Sequence, residues 1–193
     1  MPSHSRNSRK PLQVLRLALA GVVQGGALLA GSVAHAADQP NKFVMTVYTD
    51  GPGGPSLVSG NYETAIVQTL HGNSSDDAMA TNQCVAYTMS GQFPAARSAC
   101  DAALRQAKSE LMHASASMLW KTQQLQEFLT IAYSNRAVLS WLSHDAVAAA
   151  RDLAEAAALN PKAEFVARNI TALRSPHPSH ENAVAQAVAA PQS

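Results

Sequence analysis

Aromatic side chains are scarce in this sequence, at 5% of 193 residues, and charged ones are few, at 14%. A β-sandwich or barrel would draw on many aromatic and β-branched residues, so this scarcity, beside abundant alanine, points to close helix–helix packing. Cysteine is limited to Cys84 and Cys100, with no C-x-x-C pair, which argues against a redox motif. H-E-x-x-H, G-x-S-x-G and a phosphate-binding loop are all missing. The glycine-rich run Gly51–Gly54 lacks the lysine and helix that a phosphate loop needs. No catalytic residue, cofactor or metal ion is expected, and the chain is not read as an enzyme.

Charge of one sign is also lacking. The formal net charge is +1, but Arg6, Arg9, Lys10 and Arg16 fall in the first 16 residues, where there is no acid. The rest carries 10 basic and 13 acidic side chains, a net of −3, which is no electrostatic footprint for nucleic acid. Nor is there an unbroken apolar span. Leu17–Gly31 is apolar but interrupted by Gly21, Gln24, Gly25 and Gly26, a poor permanent membrane segment. A basic start, an apolar middle and small residues at Ala34 and Ala36 describe a secretory signal peptide over residues 1–36, cleaved after Ala36. Ser8-Arg9-Lys10 lacks the second arginine of a twin-arginine signal, so the general route is expected. No cysteine near the cleavage site offers a lipid anchor. The expectation is a periplasmic or secreted protein with no stable membrane insertion after cleavage.

Beyond the leader, Lys42–Thr49 is β-branched and aromatic, and reads as a short strand with no visible partner. Asp50–Pro55 is a Gly/Pro turn that no helix is expected to cross. Helix-period patterns then follow over 56–76, 77–110, 111–129, 130–163 and 164–174, and a polar and alanine-rich tail over 175–193 is predicted to be disordered. Offsets repeat between these blocks. Gly60 to Gly91, Tyr62 to Phe93 and Ala65 to Ala96 are each 31 residues. Asn82 to Asn135, Ala96 to Ala149 and Ala103 to Ala156 are each 53 residues, and Asn135 to Asn169 is 34 residues.

Ala132-Tyr-Ser-Asn-Arg-Ala-Val-Leu-Ser-Trp-Leu-Ser-His-Asp145, followed by a second helical pattern ending at Asn160-Pro161, resembles a tetratricopeptide repeat (TPR), a helix–turn–helix unit of about 34 residues. Asp77–Glu110 fits the same pattern, residues 56–76 fit a degenerate version of it, and 164–174 fits a capping helix. The resemblance implies an all-α, TPR-like stack of antiparallel helix pairs, a short right-handed superhelix, with an N-terminal extended segment. Gly91, Ala96, Ala103, Ala137, Ala149 and Ala156 take the repeat-packing positions. The insertion 111–129 is expected to form a loop at His113–Ser117 and then one long helix, roughly Met118–Leu142. Its overhang would either meet a partner or fold back over the core.

In the TPR frame Cys84 and Cys100 face each other on the two helices of one repeat, and export favours a disulfide; two buried free thiols are the alternative. The resemblance also implies a concave groove for a protein or peptide partner, lined by Asn82, Gln83, Tyr87, Asn135, Arg136 and Leu139. Asn135-Arg136-Ala137 resembles the Asn-Arg-Ala of co-chaperone TPR domains, which clamp a peptide's C-terminal carboxylate, although the matching lysine is not in frame. His177, His180 and Glu181 lie in the tail without a shell to hold a metal. Ser143-His144-Asp145 occupies a tight turn, where neighbours cannot line up as nucleophile, base and orienting group. The expected role is an exported interaction module or adaptor; a structural envelope protein is the alternative, and a small-ligand binder comes after it.

Overall fold

The computed structural model describes residues 14–18, 43–72, 77–113 and 119–175. Within them the chain is mostly helical: α1 (Gly54–Val58), α2 (Tyr62–His71), α3 (Asp77–Met89), α4 (Phe93–His113), α5 (Leu119–Leu142), α6 (Ala146–Leu159) and α7 (Glu164–Arg174). Two strands, β1 (Val14–Ala18) and β2 (Val44–Tyr48), form one antiparallel ribbon. Met118, residues 114–117 of the expected loop, the apolar stretch beyond Ala18, the expected cleavage site at Ala36 and residues 176–193 lie outside the described residues. His113, expected in a loop, is the last residue of α4. The Gly/Pro run does admit a helix start: α1 opens at Gly54, with Pro55 in its first turn, where the missing N–H is no loss.

Three helix pairs are closed by one recurring turn. At the end of α3, Gln92 N–H donates to Tyr87 O (2.9 Å) and Gly91 N–H to Thr88 O (3.1 Å). After α5 the same two bonds run from Asp145 to Ser140 (2.8 Å) and from His144 to Trp141 (2.9 Å). After α1 they run from Asn61 to Ser56 (2.8 Å) and from Gly60 to Leu57 (3.0 Å). This double bond pattern is the Schellman motif, which needs a left-handed residue just past the helix. Gly60 and Gly91 adopt φ of +74° and +75°, and His144 is forced to +63° at the same place. Gly91 therefore serves through its backbone; it is exposed, and a Cβ there would meet nothing within 4 Å, so it is a turn residue and not a packing one. The residue after the turn caps the next helix where chemistry allows: Asn61 accepts from Thr64 N–H (3.2 Å) and Asp145 from Ala148 N–H (2.9 Å).

Small residues set the helix contacts. Ala96, Ala137, Ala149 and Ala156 are fully buried and Ala103 nearly so, so backbones approach where larger side chains would hold them apart. Consecutive helices pack on each other, and α3, α5 and α7 also form a layer against which β2 lies. Cys84 on α3 and Cys100 on α4 are joined as a disulfide, with Cα atoms 4.6 Å apart. The C-terminal part of the insertion, within α5, packs on the core: Leu125 and Leu129 are buried, and Phe128 packs edge-on against Tyr48 of β2.

Candidate functional site

β2 alternates so that both of its faces are packed. Val44 and Tyr48 join a cluster with Leu129, Ile131, Leu153 and Phe165; Phe43, Met45 and Val47 join another with Leu57, Val85, Val138 and Leu139. Both ends touch α5, Phe43 through Trp141 (ring centroids 5.4 Å apart) and Tyr48 through Phe128 (5.5 Å). Gly54 keeps the chain leaving the strand close to it, since a Cβ there would collide with the Tyr48 carbonyl oxygen.

The backbone of β2 is held by three buried asparagines, one from each helix of the inner layer. Asn82 on α3 accepts from Tyr48 N–H (2.9 Å) and donates to Tyr48 O (2.8 Å) and Pro52 O (3.0 Å). Asn135 on α5 accepts from Thr46 N–H (2.8 Å) and donates to Thr46 O (2.8 Å). Asn169 on α7 accepts from Val44 N–H (2.7 Å) and donates to Val44 O (2.9 Å) and to Ser134 Oγ (2.9 Å). A primary amide offers one acceptor and two donors, so each side chain imitates the peptide unit of a neighbouring strand. The match is periodic: one step along the helices is two residues of strand, about 6.7 Å, and the strand runs against the order of the helices.

Alternate residues of a strand turn their N–H and C=O to opposite edges. The asparagines take the edge of Val44, Thr46 and Tyr48. The other edge, belonging to Met45 and Val47, is paired with β1 in the register Met45↔Leu17 and Val47↔Leu15. The extended segment thus has a partner on each side, and the sequence showed neither.

Arg136 does not face a ligand. Its guanidinium grips Asp152 of α6 through Nε (2.7 Å) and Nη2 (2.9 Å), and Asp101 of α4 through Nη1 (2.8 Å). The hydrogen bonds to Asp152 raise its already high pKa, burial works against them, and Asp101 adds to the rise, so the group stays charged at every pH the fold survives. Tyr133 stacks beneath it and beneath Lys108, 5.1 Å from the Lys108 Nζ. With Asn135 on Thr46 and Arg136 on two aspartates, the carboxylate clamp implied by Asn-Arg-Ala is not assembled. Tyr87 and Gln83 are half-buried, and Leu139 is buried in the core. His144 is exposed in its turn. Among the described residues no group of three His, Cys, Asp or Glu could hold a metal ion, and no helix is long and apolar enough to cross a membrane. Of the site, the sequence reading missed β1; it marked Asn169 by its 34-residue offset from Asn135 but did not place it, or the other two asparagines, on the strand.

No protein-family model, curated protein or solved structure matches the chain.

Proposed function

We propose that this chain is an exported, TPR-like interaction module whose inner helical layer binds extended polypeptide. The observation that carries the reading is the set of three asparagine amides on α3, α5 and α7, each engaging the backbone N–H and C=O of alternate residues of one strand. Main-chain hydrogen bonds of this kind supply affinity and leave selectivity to the flanking side-chain pockets, which suits a surface that receives extended segments. The TPR resemblance is supported by the repeated Schellman turns after α1, α3 and α5 and by buried alanines at matching offsets. Export is supported by the order of basic, apolar and small residues before Ala37 and agrees with the Cys84–Cys100 disulfide. Displayed random peptides selected against the processed protein test the reading. Enriched peptides that slow amide exchange of β2 and of the inner helices are expected; a library yielding no binder contradicts it.

A second reading, a structural envelope protein without a ligand groove, is favoured by one observation. All three asparagines are already satisfied by the chain's own strand, which stabilises the fold whether or not a partner exists. A null peptide selection together with a loss of envelope integrity on deletion would favour it.

A further inference from the structure

The β1-facing edge of β2 stands out because the segment filling it belongs to the stretch read as a removable leader. Val14–Ala18 pairs there through its backbone, antiparallel, over five residues. If residues 1–36 are removed, the N–H and C=O of Met45 and Val47 lose their partners while both side chains stay locked in the core. Orphaned strand edges of this kind are templates for another strand, because each unpaired buried backbone group is unfavourable. The opposite edge cannot relax to compensate, being fixed at Val44, Thr46 and Tyr48 by the three asparagines.

We propose that this edge is a docking site for an extended strand of another protein, occupied by residues 14–18 in the full chain and opened when the leader is cleaved. The inference rests on the proposed peptide-binding function and on the leader reading. It fixes the partner's chemistry: at least five extended residues, antiparallel to β2, with free N–H groups at the two positions taken by Leu15 and Leu17. The N–H at the position of Arg16, opposite Thr46, points away from β2.

The test uses a dye-labelled peptide of residues 12–20, the full 193-residue chain, the full chain carrying Leu15→Pro and Leu17→Pro, and the exported protein with its N-terminus read by mass spectrometry. Binding is expected to the proline variant and to the exported protein starting at Ala37, and at least about tenfold more weakly to the full chain, whose own β1 competes. N-methylation of the peptide at Leu15 or Leu17 should weaken Kd by about tenfold each, the loss of one backbone hydrogen bond, while N-methylation at Arg16 changes it by less than about twofold. Equal effects at all three positions would overturn the edge register. A peptide that fails to bind a chain verified to start at Ala37 would overturn the docking site. Retention of residues 1–36 in the exported protein would instead defeat the leader reading and opening by cleavage. A dimer of the processed chain that the peptide cannot dissociate would make the occupant a second copy and overturn the inference.

Discussion

Asn135 sits at the centre of the arrangement, with both of its amide functions spent on Thr46. Replacing it with alanine would leave a buried N–H and C=O unpaired, at about 1–3 kcal/mol for each, so Asn135→Ala should lower unfolding stability by about 2–6 kcal/mol. Asn135→Asp separates the two functions, because it keeps the acceptor and loses the donor unless protonated. Burial and the facing carbonyl would raise the folded-state pKa of that carboxyl above its unfolded value near 3.9. The folded state then binds the extra proton, so the variant should be most stable at acid pH and lose stability as pH rises past about 4, which denaturant titrations at several pH values would read. A pH-independent deficit would contradict the assigned bonds. His144 makes the opposite case, a residue poorly suited to its backbone. Its φ of +63° is tolerated readily only by glycine, which Gly60 and Gly91 supply at the equivalent turns. His144→Gly should raise stability by up to about 1 kcal/mol, the relief of left-handed strain less the added entropy of the unfolded chain. A fall in Tm would mean the histidine side chain contributes something its exposure conceals.

Between elements, two cross-links hold the helix pairs in order. Arg136 ties α5 to α4 and α6, and Asp152 beneath it is only 1% exposed. Arg136→Ala leaves that carboxylate with only the exposed Arg151 at 3.8 Å and should destabilise by about 3–5 kcal/mol, measured by urea unfolding; a change below about 1 kcal/mol would show the pair to be a surface contact. The Cys84–Cys100 bridge staples α3 to α4 across a separation of 16 residues. In the chain-entropy treatment a loop of that size contributes about 3 kcal/mol, so reductant should lower the urea midpoint, and an unchanged midpoint would contradict the staple. Helix positions were largely legible in the sequence. Repeated offsets marked α2 through α7 because a helix pair must place small residues at fixed intervals to let its neighbours close. The strand's environment was not legible. Val44–Tyr48 alternates as strands do, but what it pairs with depends on three asparagines up to 125 residues away, and local pattern carries no record of such distances. Arg136 was misread for a related reason: a basic residue on an inner helix looks ligand-facing until Asp101 and Asp152 are placed beside it.

For the whole molecule, the strand acts as a longitudinal tie. α3, α5 and α7 are separate in sequence, and each contributes one amide to the same five-residue segment, so the layer and the strand order each other. Stacked helical units make contacts mainly with their neighbours, and a strand crossing three of them adds cooperativity that such stacks otherwise lack. The same geometry leaves the two edges of β2 unequal, one closed by side chains of the helical body and one by the backbone of β1. Backbone hydrogen exchange, resolved residue by residue in the chain beginning at Ala37, reads that inequality directly. Slow exchange at Val44, Thr46 and Tyr48 with fast exchange at Met45 and Val47, the latter pair slowing when the peptide of residues 12–20 is added, is the predicted result. Uniform exchange along the segment, fast or slow, would contradict it.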